Sequence, residues 1–141
     1  MKINYKKILN KNIMNVFIEV LKNIQKDGLV DGHHLYITIN TKHKDLKLPN
    51  WIKSRYPNEI TIVIQYEYSD LIVEKKFFSI NLSFENIKTN LIVPYDSILS
   101  FADPYANFGL KFDNNLKKIN TDDKLTNDKS NIIHFNKFKK N

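Results

Sequence analysis

The stretch Ile60-Thr61-Ile62-Val63-Ile64-Gln65-Tyr66-Glu67-Tyr68 decides the fold class of this 141-residue chain. It is rich in β-branched and aromatic residues with a period of two, which predicts one long strand. The same period begins at Leu35-Tyr36-Ile37-Thr38-Ile39, and further strands are predicted at residues 71–73, 77–84, 91–94 and 108–112. Residues 74–76 and 86–89 are predicted as turns. Five or six short strands, mostly linked by hairpins, favour a small antiparallel barrel or a bent sheet.

Helical spacing is found before this strand-rich region and once within it. From Tyr5 to Ile24 apolar residues recur at steps of three and four, and Gly28 follows at the position of a helix C-cap. The sequence therefore predicts an amphipathic helix over residues 5–26. Its apolar stripe would pack on the core or, in part, on a second copy of the chain. Residues 96–103 (DSILSFAD) predict a short helix with Asp96 as its N-cap.

The C-terminal part of the chain has a different composition. Residues 113–131 are mostly polar, and residues 132–141 are apolar at first and then basic. An apolar tip on a long polar tether is typical of a segment that another molecule holds. This arrangement indicates tethering rather than catalysis.

Composition and charge exclude several classes of function. There is no cysteine for a disulfide or a thiolate site, no run of about 18 apolar residues for a membrane span and no convincing signal peptide, so we expect a cytoplasmic protein. The net charge of +7 divides into +3 for residues 1–34, +1 for residues 35–112 and +3 for residues 113–141. Because the core is nearly neutral and Arg55 is the only arginine, nucleic-acid binding is disfavoured.

Few residues have the arrangement that catalysis or metal binding requires. His33 and His34 are adjacent, so an extended chain points them to opposite faces, and no ligand lies at a suitable spacing. We interpret them as structural residues. The chain has no Gly-rich phosphate loop and no nucleophile elbow, so we expect neither an enzyme nor a cofactor or metal. Phe84, Phe101 and Phe108 are predicted to line a peptide-binding groove or, alternatively, to belong to the core.

Several segments together resemble the stringent starvation protein B (SspB) family in its alphaproteobacterial form. They are His33-His34-Leu35-Tyr36-Ile37, Leu48-Pro49-Asn50-Trp51-Ile52, Arg55-Tyr56-Pro57, residues 60–65, Phe101-Ala102-Asp103-Pro104 and Asn107-Phe108-Gly109-Leu110. The resemblance implies a small Sm-like antiparallel β-barrel behind an N-terminal helix, followed by a disordered C-terminal tail. It also implies a homodimeric, non-enzymatic adaptor that binds ssrA-tagged proteins and delivers them to the ClpXP protease.

The resemblance also assigns the parts of the chain. Residues 1–112 would be the tag-binding domain, with a dimerisation helix at 5–27 and the barrel at 35–112; residues 113–131 would be a flexible linker and residues 132–141 the ClpX-docking motif. The implied tag-binding residues are Gln65, Phe84, Glu85, Asn86, Phe101, Ala102 and Phe108. The implied ClpX-docking residues are Ile132, Ile133, Phe135, Phe138, Lys139 and Lys140. The implied dimer contacts are Ile13, Phe17 and Val20.

Two other interpretations remain open at this point. Small Sm-like barrels also bind RNA, and both ends of this chain are basic, so an RNA-binding module is the main alternative. A structural subunit whose tail docks elsewhere is the third. Phosphate-driven RNA binding would weaken steeply with salt, which distinguishes it from peptide binding.

Overall fold

A computed structural model describes residues 2–29 and 32–112 of the chain. A long helix comes first, and strands make up most of the remainder. The elements in chain order are α1 (Tyr5–Asp27), β1 (Leu35–Asn40), α2 (Asn50–Arg55), β2 (Glu59–Ile64), β3 (Tyr68–Val73), β4 (Phe77–Phe84), β5 (Ile87–Pro94), a 3₁₀ turn (Tyr95–Ser97), β6 (Ile98–Asp103), a second 3₁₀ turn (Pro104–Ala106) and β7 (Phe108–Lys111).

Helix α1 has the boundaries that its end residues favour. The side chain of Asn4 caps its start by accepting a hydrogen bond from the N–H of Lys7. Gly28 ends it with a positive φ of 81°, a conformation that glycine adopts without strain. The buried residues of α1 are all in its second half, whereas residues 5–12 are mostly exposed.

The strands form two antiparallel sheets, with strand orders β2-β1-β6-β7 and β3-β4-β5. A helix followed by antiparallel strands, as the sequence predicts, is therefore confirmed. The sheets are not closed into a barrel, however. Among the described residues, β2 and β3 follow one another in the chain but belong to different sheets and do not pair.

The prediction of one strand over residues 60–68 is wrong. β2 ends at Ile64, the next three residues bend, and β3 begins at Tyr68 and continues to Val73. The alternation that buries three isoleucines of β2 would next bury Tyr66, but this side chain is 78% exposed. The chain leaves one sheet at this point and enters the other, which local spacing does not reveal.

The helix predicted over residues 96–103 is also wrong, because most of this segment is the central strand β6. Ile98, Phe101 and Ala102 have helical spacing and are all buried. Their spacing arises from a bulge: Ser100 pairs with Thr38 and Ile98 with Ile39, which leaves one extra residue in β6. In a regular strand, residues three positions apart point to opposite faces. The bulge shifts this alternation by one residue, so Ile98 and Phe101 are both buried.

The hairpin between β4 and β5 is tighter than the sequence predicts. Its two turn residues, Glu85 and Asn86, both have positive φ angles, of 51° and 67°. This is the backbone of a two-residue turn whose twist matches that of the flanking strands. Strand β5 consequently begins at Ile87, four residues before the predicted start at Leu91.

Phe17 lies at the centre of the hydrophobic core and joins the helix to both sheets. It is fully buried, and its ring is 4.9–6.5 Å, centroid to centroid, from four other aromatic rings, those of Phe78, Tyr95, Phe101 and Phe112. Such edge-to-face and tilted pairs add to the stabilisation from burial. The second half of α1 is therefore fixed against the strands.

Candidate functional site

The outer edge of β2 is open to a further strand. Within the described residues β2 pairs only with β1. The N–H of Thr41 donates to the carbonyl of Asn58 at 3.1 Å, which extends the β1–β2 ladder by one pair. Because hydrogen-bonded positions alternate along an antiparallel strand, the buried isoleucines direct their main-chain groups to β1. Thr61 and Val63 therefore direct theirs to the open edge.

The end of β4 faces this open edge. β4 pairs with β3 as far as Leu82, which lies opposite Tyr68, whereas its pairing with β5 continues to Phe84. Ser83 and Phe84 thus extend beyond the start of β3. On the side where β3 would lie, this end of β4 borders β2 across a gap.

A groove of about 400 Å³ fills the gap between β2 and the end of β4. Its volume is within the ~300–1,000 Å³ of typical ligand sites. Val63 is partly exposed in it, while Phe84 packs partly against the core. The lining residues are Thr61, Ile62, Val63, Gln65, Tyr66, Glu67, Leu82, Ser83 and Phe84.

Two of the predicted tag-binding residues, Gln65 and Phe84, line the groove. They are nineteen positions apart in the sequence, and the fold brings them together. Sequence reasoning missed the β2 residues Thr61 and Val63 as groove residues. The available signal was the set of β2 positions that alternate with the buried isoleucines, but the sequence does not show which edge of the strand is unpaired.

Glu85 and Asn86 form the turn next to the groove and do not line it. The carboxylate of Glu85 accepts a hydrogen bond from the guanidinium of Arg55 in an exposed ion pair. The same guanidinium lies 5.3 Å from the ring centroid of Trp51. Helix α2 therefore holds the β4–β5 turn beside the groove. The only arginine of the chain is also engaged within the protein.

The three predicted residues of β6 and β7 lie elsewhere. Phe101 is only 1% exposed, and Ala102 is also buried. Phe108 is 41% exposed on β7, with its ring 6.1 Å from that of Phe101. β1 and β6 separate β7 from β2 in the sheet. Phe101 thus supports the core, and Phe108 belongs to a different surface from the groove.

The residues predicted for dimerisation differ in exposure. Phe17 is fully buried in the core of its own chain, so its side chain offers no surface to a partner. Ile13 and Val20 are partly buried and pack against that core. The predicted apolar stripe of α1 is exposed along the first half of the helix at Tyr5, Leu9 and Val16, together with Ile8.

His33 has an acidic partner that sequence spacing could not show. Its Nδ1 lies 2.6 Å from Oδ2 of Asp103, seventy residues away, at the end of β6. The ring of Tyr105 packs edge-on against His33 and also covers Gly32, where a Cβ atom would lie 3.1 Å from it. These contacts join the loop after α1 to the end of β6, as expected of a structural histidine.

Residues 2–29 and 32–112 contain neither a cluster of metal-binding side chains nor a helix suited to a membrane. No group of three or more histidine, cysteine, aspartate or glutamate side chains there could hold a metal ion. No helix in this part of the chain has the length and apolarity to cross a membrane. The predicted linker (113–131) and docking motif (132–141) lie outside the described residues.

A family model for stringent starvation protein B matches residues 8–137. The chain belongs to this family. The match to the SspB family extends from α1 through both sheets and continues into residues 113–137, so it includes the polar segment and part of the tip. Among curated proteins, no match was found. SspB proteins are protease adaptors, and membership of the family is consistent with such a role.

Proposed function

We propose that this protein is a non-enzymatic adaptor that binds ssrA-tagged proteins in the β2–β4 groove and delivers them to the ClpXP protease in the cytoplasm. The observation that carries the proposal is the open edge of β2 beside the end of β4. A strand edge and neighbouring side-chain pockets are what an extended peptide requires. Membership of the SspB family supports the choice of tag and protease.

The tag would bind as an added strand. Main-chain N–H and C=O groups of Thr61 and Val63 would pair with the peptide backbone, which gives affinity with little dependence on sequence. Val63 and Phe84 would contact apolar side chains of the tag, and the amide of Gln65 would donate to and accept from polar ones. The groove chemistry is therefore recognition without bond making or breaking.

Delivery would depend on residues 113–141. The apolar and basic residues of the tip would dock on ClpX: Ile132, Ile133, Phe135, Phe138, Lys139 and Lys140. A flexible linker of nineteen residues has a root-mean-square reach of about 24 Å, at ~5–6 Å times the square root of length. Capture of the bound substrate then becomes nearly intramolecular, which raises a weak affinity without new contacts.

The exposed stripe on α1 supports assembly as a homodimer. Tyr5, Leu9 and Val16 recur at steps of four and seven and are between 42% and 73% exposed. A second copy of the helix would remove this apolar surface from water. Two tails in one dimer could then engage one protease particle together.

Fluorescence anisotropy with a labelled ssrA-tag peptide tests the groove directly. We expect saturable binding by the full chain and by a chain without residues 130–141. Val63→Lys should weaken binding at least tenfold, because it places a long charged side chain at the edge where the peptide would pair. Ile72→Lys is the matched control, since Ile72 is similarly exposed on β3 and does not line the groove. Equal binding by both variants would refute the proposed site.

A further inference from the structure

A second cavity lies where the end of α1 meets the start of β1 and the end of β6. Its volume is about 240 Å³. This is below the ~300–1,000 Å³ of sites for whole small molecules, so it suits one or two side chains. The floor is apolar and includes Val20, Ile24 and Leu35.

The rim of this cavity is acidic. Asp27 is exposed at the last position of α1, and Asp103 also lines the cavity, in contact with His33. The C-terminal end of a helix carries a partial negative charge, which adds to that of Asp27. An apolar floor with an acidic rim is complementary to a segment that combines aromatic or aliphatic side chains with lysines.

The chain itself contains such a segment. Residues 132–141 (IIHFNKFKKN) have four large apolar side chains and three lysines, and no acidic side chain. Phe138 has Lys137 before it and Lys139 after it, so a ring in the cavity would place ammonium groups near the rim. We propose that this basic apolar tip docks in the α1–β6 cavity of its own chain.

The length of the intervening chain permits this contact. Asp103 pairs with Phe108, four residues before Phe112, so the chain leaves β7 about 13 Å from Asp103 at ~3.3 Å per residue. The 26 residues from Phe112 to Phe138 reach about 28 Å as a flexible chain. A tether of this kind provides an effective concentration of order 1 mM, so a docking contact with a dissociation constant of about 1 mM would be half occupied.

Docking in the cavity does not depend on what the β2–β4 groove binds. While docked, the tip would be unavailable to any other partner, and release would depend on competition for the same residues. The consequence is reversible occlusion of the tip by the domain that carries it.

Paramagnetic relaxation in the full chain tests this proposal. The sequence has no cysteine, so Asn136→Cys allows a single spin label beside Phe138. We expect the amide signals of Gly28, Leu29 and His33 to lose most of their intensity relative to the reduced label, because a weak contact exchanges rapidly and partial occupancy by a nearby spin label then broadens them. The loss should disappear near 0.5 M salt, where charges on an exposed rim are screened beyond about 5 Å.

Charge variants locate the contact. In the spin-labelled chain, Asp27→Lys should restore the signals, whereas Asp45→Lys, the same change at an exposed site that does not line the cavity, should leave the loss unchanged. Signal loss elsewhere on the domain, or none, would overturn the proposal. Loss in an isotopically labelled chain mixed with a separate spin-labelled chain would show docking between copies and would overturn it too.

Discussion

Phe17 provides the sharpest test of how α1 packs, because the sequence allows it either a core or a dimer role. The change is Phe17→Ala. Removing a fully buried phenylalanine typically costs about 3–5 kcal/mol of folding free energy. The cost combines the lost free energy of moving the ring from water into the core with that of the cavity left behind. Four neighbouring rings within 6.5 Å add aromatic contacts of ~0.5–1.5 kcal/mol each, so we expect the upper part of that range.

This cost is large in relation to the whole domain. Domains are stable by about 5–15 kcal/mol in total, so Phe17→Ala should remove a third or more. The assay is urea unfolding followed by circular dichroism, at two protein concentrations tenfold apart. The expected shift in the midpoint is the same at both, because the contact lies within one chain. Phe17→Leu, with a loss of about 1–1.5 kcal/mol, gives a measurable value if the alanine variant does not fold.

Val16→Ala is the matched control on the adjacent residue. Val16 is 42% exposed on the exposed apolar stripe of α1, so Val16→Ala should lower the free energy of unfolding of a single chain by less than about 1 kcal/mol. Any effect on a dimer would appear as a dependence on protein concentration. If Phe17→Ala costs less than about 1 kcal/mol, or no more than Val16→Ala, the packing of α1 described above is wrong.

Further predictions concern other parts of the molecule. Burial, followed by the charge of Glu74, raises the pKa of Tyr95 from 10.0 to about 12, so the folded state keeps this proton to a higher pH than the unfolded chain does. The free energy of unfolding should therefore fall between pH 10 and pH 12. A pH series of urea unfolding midpoints should show this fall, and Tyr95→Phe should flatten it. Arg55→Ala should cost about 1 kcal/mol or less in thermal unfolding, because its ion pair with Glu85 is exposed; a larger loss would show that α2 does more than hold the turn. Deleting residues 130–141 should leave tag binding intact and abolish the lowering of KM for degradation of a tagged substrate by ClpXP; a truncated chain that still lowers KM would refute the tether. Gel-shift titrations with single-stranded RNA should show no binding at 0.15 M salt, whereas a shift that weakens steeply with added salt would favour the RNA alternative.

The sequence predicts elements whose pattern is complete within one segment. α1 has a cap residue, a helical stripe and a terminal glycine, and the structure confirms the helix. β1 and β4 likewise follow their alternation, since each is flanked by partners that keep one face buried. Local periodicity suffices where the buried face does not change along the element.

Features set by partners distant in the sequence were not predictable. The break after Ile64 exists because β2 and β3 pair with different strands. Buried residues of the strand at residues 98–103 have helical spacing because the strand contains a bulge. That bulge arises from pairing with Thr38 and Ile39, which are distant in the sequence. The contact between His33 and Asp103 spans seventy residues. The groove itself needs one edge of β2 to be open, a property of strand order and not of any single strand.

The position of the open β2 edge also bears on solubility. Exposed strand edges invite other chains to add, and a flat edge lets each added strand recruit the next. Here the far side of the gap is bordered by Leu82 and Ser83 of β4. A strand that enters has protein on both sides and presents no new edge, so growth stops after one addition. The same geometry that leaves room for one extended segment therefore limits strand addition at the β2 edge to a single strand.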